Sequence, residues 1–249
     1  MQEQQPNFQF EWVETGDGSP SVRLWKEDQA PECMHHSGGA LSESLYIYGE
    51  AFEKAMEFTP KGTPLRVLSL GLGLGYNEMI ATALAVRAGR ISDLYIDSFE
   101  SEDFLNQSLQ SWLSEQVGDA DWTSVYDKIL DLLSRKVDVP TDKLRTTLAD
   151  LKIEERWNLN EALTEKTEIK EAFSCLFFDA FSSGATPELW GEEFITNFLK
   201  EASAEKCVLT TYACTGNLKR ALKANDFVVE LRDGYANKRH STWGFKGLN

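Results

Sequence analysis

The sequence predicts an α/β fold with a largely parallel sheet, and three observations carry that expectation. Short apolar, β-branched runs such as LRVLSL, LYIDSF, SCLFF and KCVLTTY recur along the chain, and helical patterns stand between them. The first of these runs breaks at once into glycines, LRVLSLGLGLGYNE from Leu65 to Glu78, as a buried strand does on turning into a helix. The 249 residues, 42% hydrophobic and 26% charged, suffice for a single domain spanning 1–249, and no internal repeat or low-complexity linker divides them.

In chain order, FQFEWVET and SVRLWK alternate apolar and polar residues on either side of the turn cluster GDGSP, which gives a β-hairpin. A helix follows from Ser42, taken as its N-cap, to the breakers Pro60, Gly62 and Pro64, so residues 1–60 form a hairpin and helix extension. Leu65 starts the first central strand, Asn77 to Ala88 reads as a helix, and Leu94 to Phe99 as a second strand with Glu100 at its end. Residues 103–143 hold helical patterns around Trp112 and Trp122 and no glycine-rich motif. They are read as a helical insertion over the sheet with both tryptophans in the core. Leu144 to Leu148 is taken as a third strand ending at Asp150, followed by a polar helix near Asn160 to Glu171. Next come a strand, Ser174 to Phe178, running into DAF, and a helix opened by Pro187, PELWGEEFITNFLKEA. Lys206 to Tyr212 is a strand and Leu218 to Ala224 a helix, and Phe227 to Leu231 pairs with Ser241 to Phe245 as a closing hairpin.

In an open α/β sheet the ligand lies beyond the carboxyl ends of the strands, which makes Gly71, Gly73 and Gly75 the candidate shelf. Glycine suits that position because a side chain would block close backbone approach. A dinucleotide fingerprint would need glycine at position 76, where Tyr76 stands, and no Gly-Lys-Ser/Thr follows to make a P-loop. Glu100 at the next strand end can accept bonds from both hydroxyls of a ribose, with Asp97 as competitor, and Asp150 is placed to reach an adenine edge. Glycines and two strand-end carboxylates suit a nucleoside with little phosphate, which points to S-adenosylmethionine before NAD.

Composition narrows the partners. The net charge of −15 argues against a protein that coats nucleic acid nonspecifically. From Lys206 onward, however, eight basic residues stand against three acidic ones, so one face could receive an anionic substrate. No apolar run approaches the roughly 20 residues that cross a bilayer. The start MQEQQPNFQF lacks the pattern of a signal peptide, so a cytoplasmic protein is expected. Cys33, Cys175, Cys207 and Cys214 form no CxxC pair and are expected to be reduced. His35 and His36 have no partner at ligand spacing, so no metal is expected.

The order of the blocks carries a resemblance over nearly the whole chain. WVETGDGSPSVRL, MHHSGGALSESLYIY, SLGLGLGYNE, SFE, FFDAFSSGATPELW, TTYACTGNLKRALKANDF and GYANKRHSTWG follow one another as they do in the MnmC-type methyltransferase domain. The chain therefore resembles a class I S-adenosylmethionine-dependent methyltransferase, with the match weakest between about residues 103 and 165. The resemblance implies a Rossmann-like, mostly parallel seven-stranded sheet with helices on both faces. It also implies methylation of the aminomethyl group of a modified wobble uridine in tRNA.

It further implies roles. Gly71, Gly73 and Gly75 would pass under the methionine portion of the cofactor, Glu100 would hold the ribose, Asp150 would face the adenine, and Glu43 would flank the pocket. Asp179 would sit beside the sulfonium and the incoming amine as the proton acceptor. Lys219, Arg220, Lys238 and Arg239 would meet tRNA phosphates, with Phe181 and Tyr235 packing against the uridine. Longer members fuse this domain to an FAD-dependent oxidase. No segment here matches it, so a separate oxidase is expected upstream. Two alternatives stand beside this reading: a methyltransferase of a small-molecule or protein amine, favoured by the acidic composition, and a noncatalytic cofactor-binding relative.

Overall fold

A computed structural model describes residues 8–26, 31–116, 120–236 and 238–248. The N-terminal stretch read for a signal sequence lies mostly outside them. The alternating hairpin forms as expected: β1 (Phe8–Glu14) pairs antiparallel with β2 (Pro20–Lys26), and a short β3 (Glu32–Cys33) joins β2 to complete a small three-stranded sheet.

The hairpin turn does more than reverse the chain. Helix α1 (Ala40–Ser44) leaves its first backbone N–H groups without intrahelical acceptors. Ala40 N donates to Thr15 Oγ1 at 3.0 Å, Leu41 N to Ser19 Oγ at 3.0 Å and Ser42 N to Asp17 Oδ2 at 2.9 Å. Burial tends to raise the pKa of Asp17, but the bonds from Ser19 and Ser42 hold it at about 2. Ser42, expected as the N-cap, lies inside the helix, because the hairpin supplies the caps and Gly39 occupies the cap position.

From α1 the chain passes through a π-helical turn, Leu45–Gly49, into α2 (Glu50–Phe58). Strand β4 (Leu65–Leu70), helix α3 (Tyr76–Arg87) and strand β5 (Leu94–Phe99) follow the expected boundaries closely. The segment after β5 is helical over a longer span than expected: α4 (Asp103–Leu113), α5 (Ala120–Val137) and α6 (Thr141–Ile153). Trp112 and Trp122 are buried there, as expected. Leu144 to Leu148 is therefore helix, not strand. Leu144, Leu148 and Leu151 bury one stripe at helical spacing, and Asp150 falls on the exposed side.

The third strand of this half is β6 (Trp157–Asn160), anchored by the fully buried Trp157, and irregular chain replaces the polar helix expected after it. Strand β7 (Phe173–Phe178) leads to a 3₁₀ turn, Pro187–Trp190. Gly191 then breaks the expected single helix by taking an extended conformation, and α7 (Glu192–Ala202) starts after it. Strand β8 (Ser203–Thr211), helix α8 (Gly216–Ala224), β9 (Phe227–Asp233) and β10 (His240–Lys246) complete the chain.

The main sheet runs β6-β5-β4-β7-β8-β10-β9, parallel from β6 to β8, with β10 antiparallel to both its neighbours. Side chains alternate across it. Val67, Ile96, Cys175 and Phe177 face the core shared with α2 to α6. Leu68, Leu70, Leu176 and Phe178 face the core under α7 and α8. Helices thus cover both faces, as a buried parallel sheet requires. Among the described residues no helix is long and apolar enough to cross a membrane.

Candidate active site

Strand register builds the site. Leu70 pairs with Phe99 on one side and Phe178 on the other, so the residues that follow, Gly71, Glu100 and Asp179, stand abreast at the carboxyl edge. Pairing of Phe99 with Asn160 and of Phe177 with Thr210 extends the row to Glu161 on one flank and Tyr212 on the other. Strand order reverses between β4 and β7, the place where such sheets hold their ligands. A cavity of about 1010 Å³ opens there, walled by Gly71, Gly73, Glu100, Asp179, Phe181 and Tyr212 among others.

Each part of the row has a local cause. Gly71 adopts φ +92°, and a Cβ on it would collide with the carbonyl oxygen of Asp179, so only glycine lets the two strand ends approach. Gly75, at φ +73°, caps α3 and lies behind the cavity wall. Glu100 is 5% exposed, and burial raises its pKa against the bonds it accepts. Gly73 N donates to Oε2 at 2.9 Å, and Oε1 accepts from Glu102 N at 3.0 Å and, at 3.4 Å, from the Ser101 hydroxyl, so Oε2 keeps a further lone pair for a ligand. Asp97 is instead bonded to Asn158 Nδ2 at 2.7 Å, away from the cavity, which leaves Glu100 as the strand-end acid on the wall.

Across the glycine turn, Asp179 Oδ1 accepts a bond from the Tyr48 hydroxyl, and Oδ2 accepts one from Asn77 Nδ2 at 2.8 Å. Burial pushes its carboxyl up to about 7, even though both donors pull it down. Tyr48 and Asn77 escaped the sequence reading. Their only signal was a polar group on an otherwise apolar helical stretch, which ordinarily means core. Glu43 lines the cavity as expected, 5% exposed, with Oε1 bonded to Lys238 Nζ at 2.8 Å and Oε2 to the backbone N of His36 at 2.7 Å.

Other expected positions shift. Asp150 sits on the exposed face of α6, absent from the cavity wall. The register gives the strand end beside Glu100 to Glu161, with Ala162 and Leu163 on the wall. Lys238 points inward, its ammonium also 4.8 Å from the Tyr212 ring centroid. Arg220 pairs with Glu192 at 2.6 Å, and Arg232 with Glu50 at 2.6 Å. Three of the eight basic residues of the tail, Arg220, Arg232 and Lys238, are thus each paired with a carboxylate. Tyr235 bonds Ser42 Oγ at 2.6 Å on the shoulder of the site, outside the cavity wall. Phe181 lines the cavity, Arg239 is exposed and Lys219 is half-buried near the start of α8.

The donor set fits a nucleoside cofactor with a short polar tail. The glycine-only approach at Gly71 leaves an open backbone shelf, and Glu100 presents a buried carboxylate beside it for vicinal hydroxyls. No glycine cluster for a pyrophosphate follows. Sheet order, shelf and paired strand-end carboxylates define the Rossmann-like methyltransferase class.

Within that class the chain belongs to a family described as S-adenosyl-L-methionine-dependent methyltransferase, whose model matches residues 121–247. It is similar to the tRNA 5-methylaminomethyl-2-thiouridine biosynthesis bifunctional protein MnmC of Ectopseudomonas mendocina, 25% identical over 242 residues that cover 96% of this chain and 35% of the relative. MnmC of Aromatoleum aromaticum is 23% identical over 240 residues, covering 92% of this chain and 34% of its own. The chain thus spans about a third of the length of these curated relatives. Among solved structures, MnmC2 from Aquifex aeolicus superposes with a TM-score of 0.63 at 25% identity, over 96% of this chain and 71% of that one.

Proposed function

We propose that this methyltransferase acts in the cytoplasm on the aminomethyl nitrogen of a modified wobble uridine in tRNA, after a separate FAD-dependent oxidase has exposed that amine. One observation carries the reading: the Asp179 carboxyl stands in the cavity wall beside the glycine turn, bonded by two neutral donors and by no cation among the described residues. The names of the relatives, which specify 5-methylaminomethyl-2-thiouridine biosynthesis, support the choice of acceptor.

S-adenosylmethionine, when bound, would supply a methyl group on a sulfonium, open to in-line attack by an amine with the neutral thioether as leaving group. Gly71 and Gly73 would offer bare backbone to its methionine end, and the Glu100 carboxylate would accept from its ribose hydroxyls, Oε2 through its free lone pair and Oε1 in place of the long Ser101 contact. An aminomethyl group reaches the enzyme as an ammonium ion, which cannot attack. Asp179 orients it through an N–H···O bond and takes its proton, so that the nitrogen lone pair becomes free. A carboxyl near pKa 7 is suited to that exchange at neutral pH. Glu102, Glu165 and Glu188 on the same wall favour a cationic head group. Phe181 packs on the uridine face, while Lys219 and Arg239 meet phosphates at the rim.

The test is methyl transfer from labelled S-adenosylmethionine to tRNA that lacks the final methyl, with calorimetry of the cofactor beside it. Label on the wobble uridine is the expected result. The acidic wall and the internally paired arginines also favour a second reading, a small-molecule or protein amine as acceptor. Label on free amines or lysyl peptides with none on tRNA would select it. Cofactor binding with no transfer to any amine would leave a noncatalytic relative.

A further inference from the structure

The geometry points to Tyr48 as the positioning residue of the acceptor wall: with Asn77 it holds the Asp179 carboxyl in one orientation and favours its ionised form. The inference rests on the reading above, in which Asp179 receives the proton of the amine.

The clamp is built from opposite sides. Tyr48 comes from the π-helical turn Leu45–Gly49, and wide turns of this kind inside α-helices recur at functional sites. The turn is tied down on two flanks. Thr210 Oγ1 on β8 donates to the Ile47 carbonyl at 2.7 Å, and Gly49 lets the turn lie close against Ile80 of α3. The Tyr48 ring stands edge-on to Phe177, 5.4 Å between centroids, and is 2% exposed. Its hydroxyl thus reaches Asp179 Oδ1 on a ring with no freedom to swing away. Asn77, 3% exposed at the start of α3, takes the other oxygen. Each carboxylate oxygen keeps one lone-pair direction for the substrate.

Other charged or titratable groups face Asp179 as well. Glu43 of α1 and Lys238 of the β9–β10 loop act on it in opposite directions and are bonded to each other. Tyr212 at the end of β8 donates its hydroxyl to the Ala180 carbonyl. His35, in the segment leading to α1, is kept neutral by burial, its pKa pushed down to about 4, and bonds Ser21 Oγ. The hydrogen-bond donors that favour the anion are the phenol and the amide. Burial raises the pKa of Tyr48 well above the ordinary phenol range, so it keeps its proton throughout the reaction. In the proton transfer an ammonium N–H bond breaks and an O–H bond forms on Asp179, and the phenol only shifts as a donor.

Tyr48→Phe removes the hydroxyl and keeps the ring against Phe177. In protein carrying ¹³C-carboxyl aspartate, with the Asp179 signal assigned by its loss in Asp179→Asn, the midpoint of its titration is expected to move up by about one to two pH units. The acid limb of the methyl-transfer pH profile should move by the same amount, with cofactor affinity within about twofold of wild type. 3-Fluorotyrosine at position 48, a stronger donor of nearly the same shape, should move both downward, and it decides the matter if the phenylalanine variant does not fold. An unmoved carboxyl midpoint in either folded variant overturns the clamp. A shifted midpoint in a protein that methylates no amine supports the clamp and removes only the functional reading.

Discussion

The two walls of the cavity are built by different means. The wall proposed for the cofactor, from β4 through the glycine turn to Glu100, is made of consecutive chain: its carboxylate is held chiefly by backbone N–H groups of Gly73 and Glu102, with a longer bond from the Ser101 hydroxyl, and its shape comes from a glycine. The wall proposed for the acceptor draws Tyr48, Asn77, Asp179 and Tyr212 from separate parts of the chain, and its carboxylate is held by side chains. Backbone donors cannot be mutated away and give a fixed binding cradle. Side-chain donors set orientation and acidity, which evolution can tune one residue at a time.

Substitution of the two carboxylates separates the walls most sharply. Asp179→Ala should lower methyl transfer by about a hundredfold or more, in the range of a lost general base, while calorimetry finds cofactor affinity nearly unchanged. Comparable losses of both would mean that the walls are not separate. Glu100→Ala should weaken S-adenosylmethionine binding by about 10- to 100-fold, as expected from loss of charge-assisted bonds to two hydroxyls.

The pH profile sharpens the contrast. Asp179 must be ionised to accept a proton, and burial raises its pKa to about 7, so the rate should fall as pH drops through that value. At pH 6 about a tenth of the alkaline plateau should remain, because about a tenth of the carboxyl is then ionised. Cofactor binding measured over the same range should lack this inflection if the cofactor wall titrates on its own.

Smaller effects are expected at the rim. Arg239→Ala should weaken tRNA binding a few-fold at low salt and reduce the salt slope by about one, as for one lost phosphate contact. Arg220→Ala should leave that slope unchanged, since its guanidinium is already paired with Glu192. Asp150→Ala on the exposed face of α6 should leave cofactor affinity the same, and a measurable loss would return that residue to the adenine site.

The cofactor wall was legible because each of its signals is local: a strand, a glycine run and an acid at the next strand end lie in continuous stretches. The place of Asp179 at the end of an apolar strand was legible for a related reason, whereas its singling out as a site residue came from the resemblance of the FFDAF block. Asp150 was misplaced because LRTTL, with β-branched threonines between leucines, fits either period over so short a run, and the buried spacing of Leu144, Leu148 and Leu151 settles it as helix. The true third strand, WNLN, is only four residues long and is held by the burial of Trp157. Ser42 misled in another way, since the donors it was meant to cap are satisfied by a turn about 25 residues earlier.

By itself the sequence determined the alternation of strands and helices and placed Gly71, Glu100 and Asp179 at strand ends, because apolar periodicity and backbone permissiveness act over a few neighbouring residues. Tertiary structure alone decided which side chains meet those acids. Strand register aligned Gly71, Glu100 and Asp179 in one row, the π-turn carried Tyr48 to Asp179 across 131 positions, and Lys238 turned inward to Glu43 across 195. Contacts at such separations arise when buried polar groups must find partners inside a packed core, and no local pattern in the chain encodes which partner each one finds.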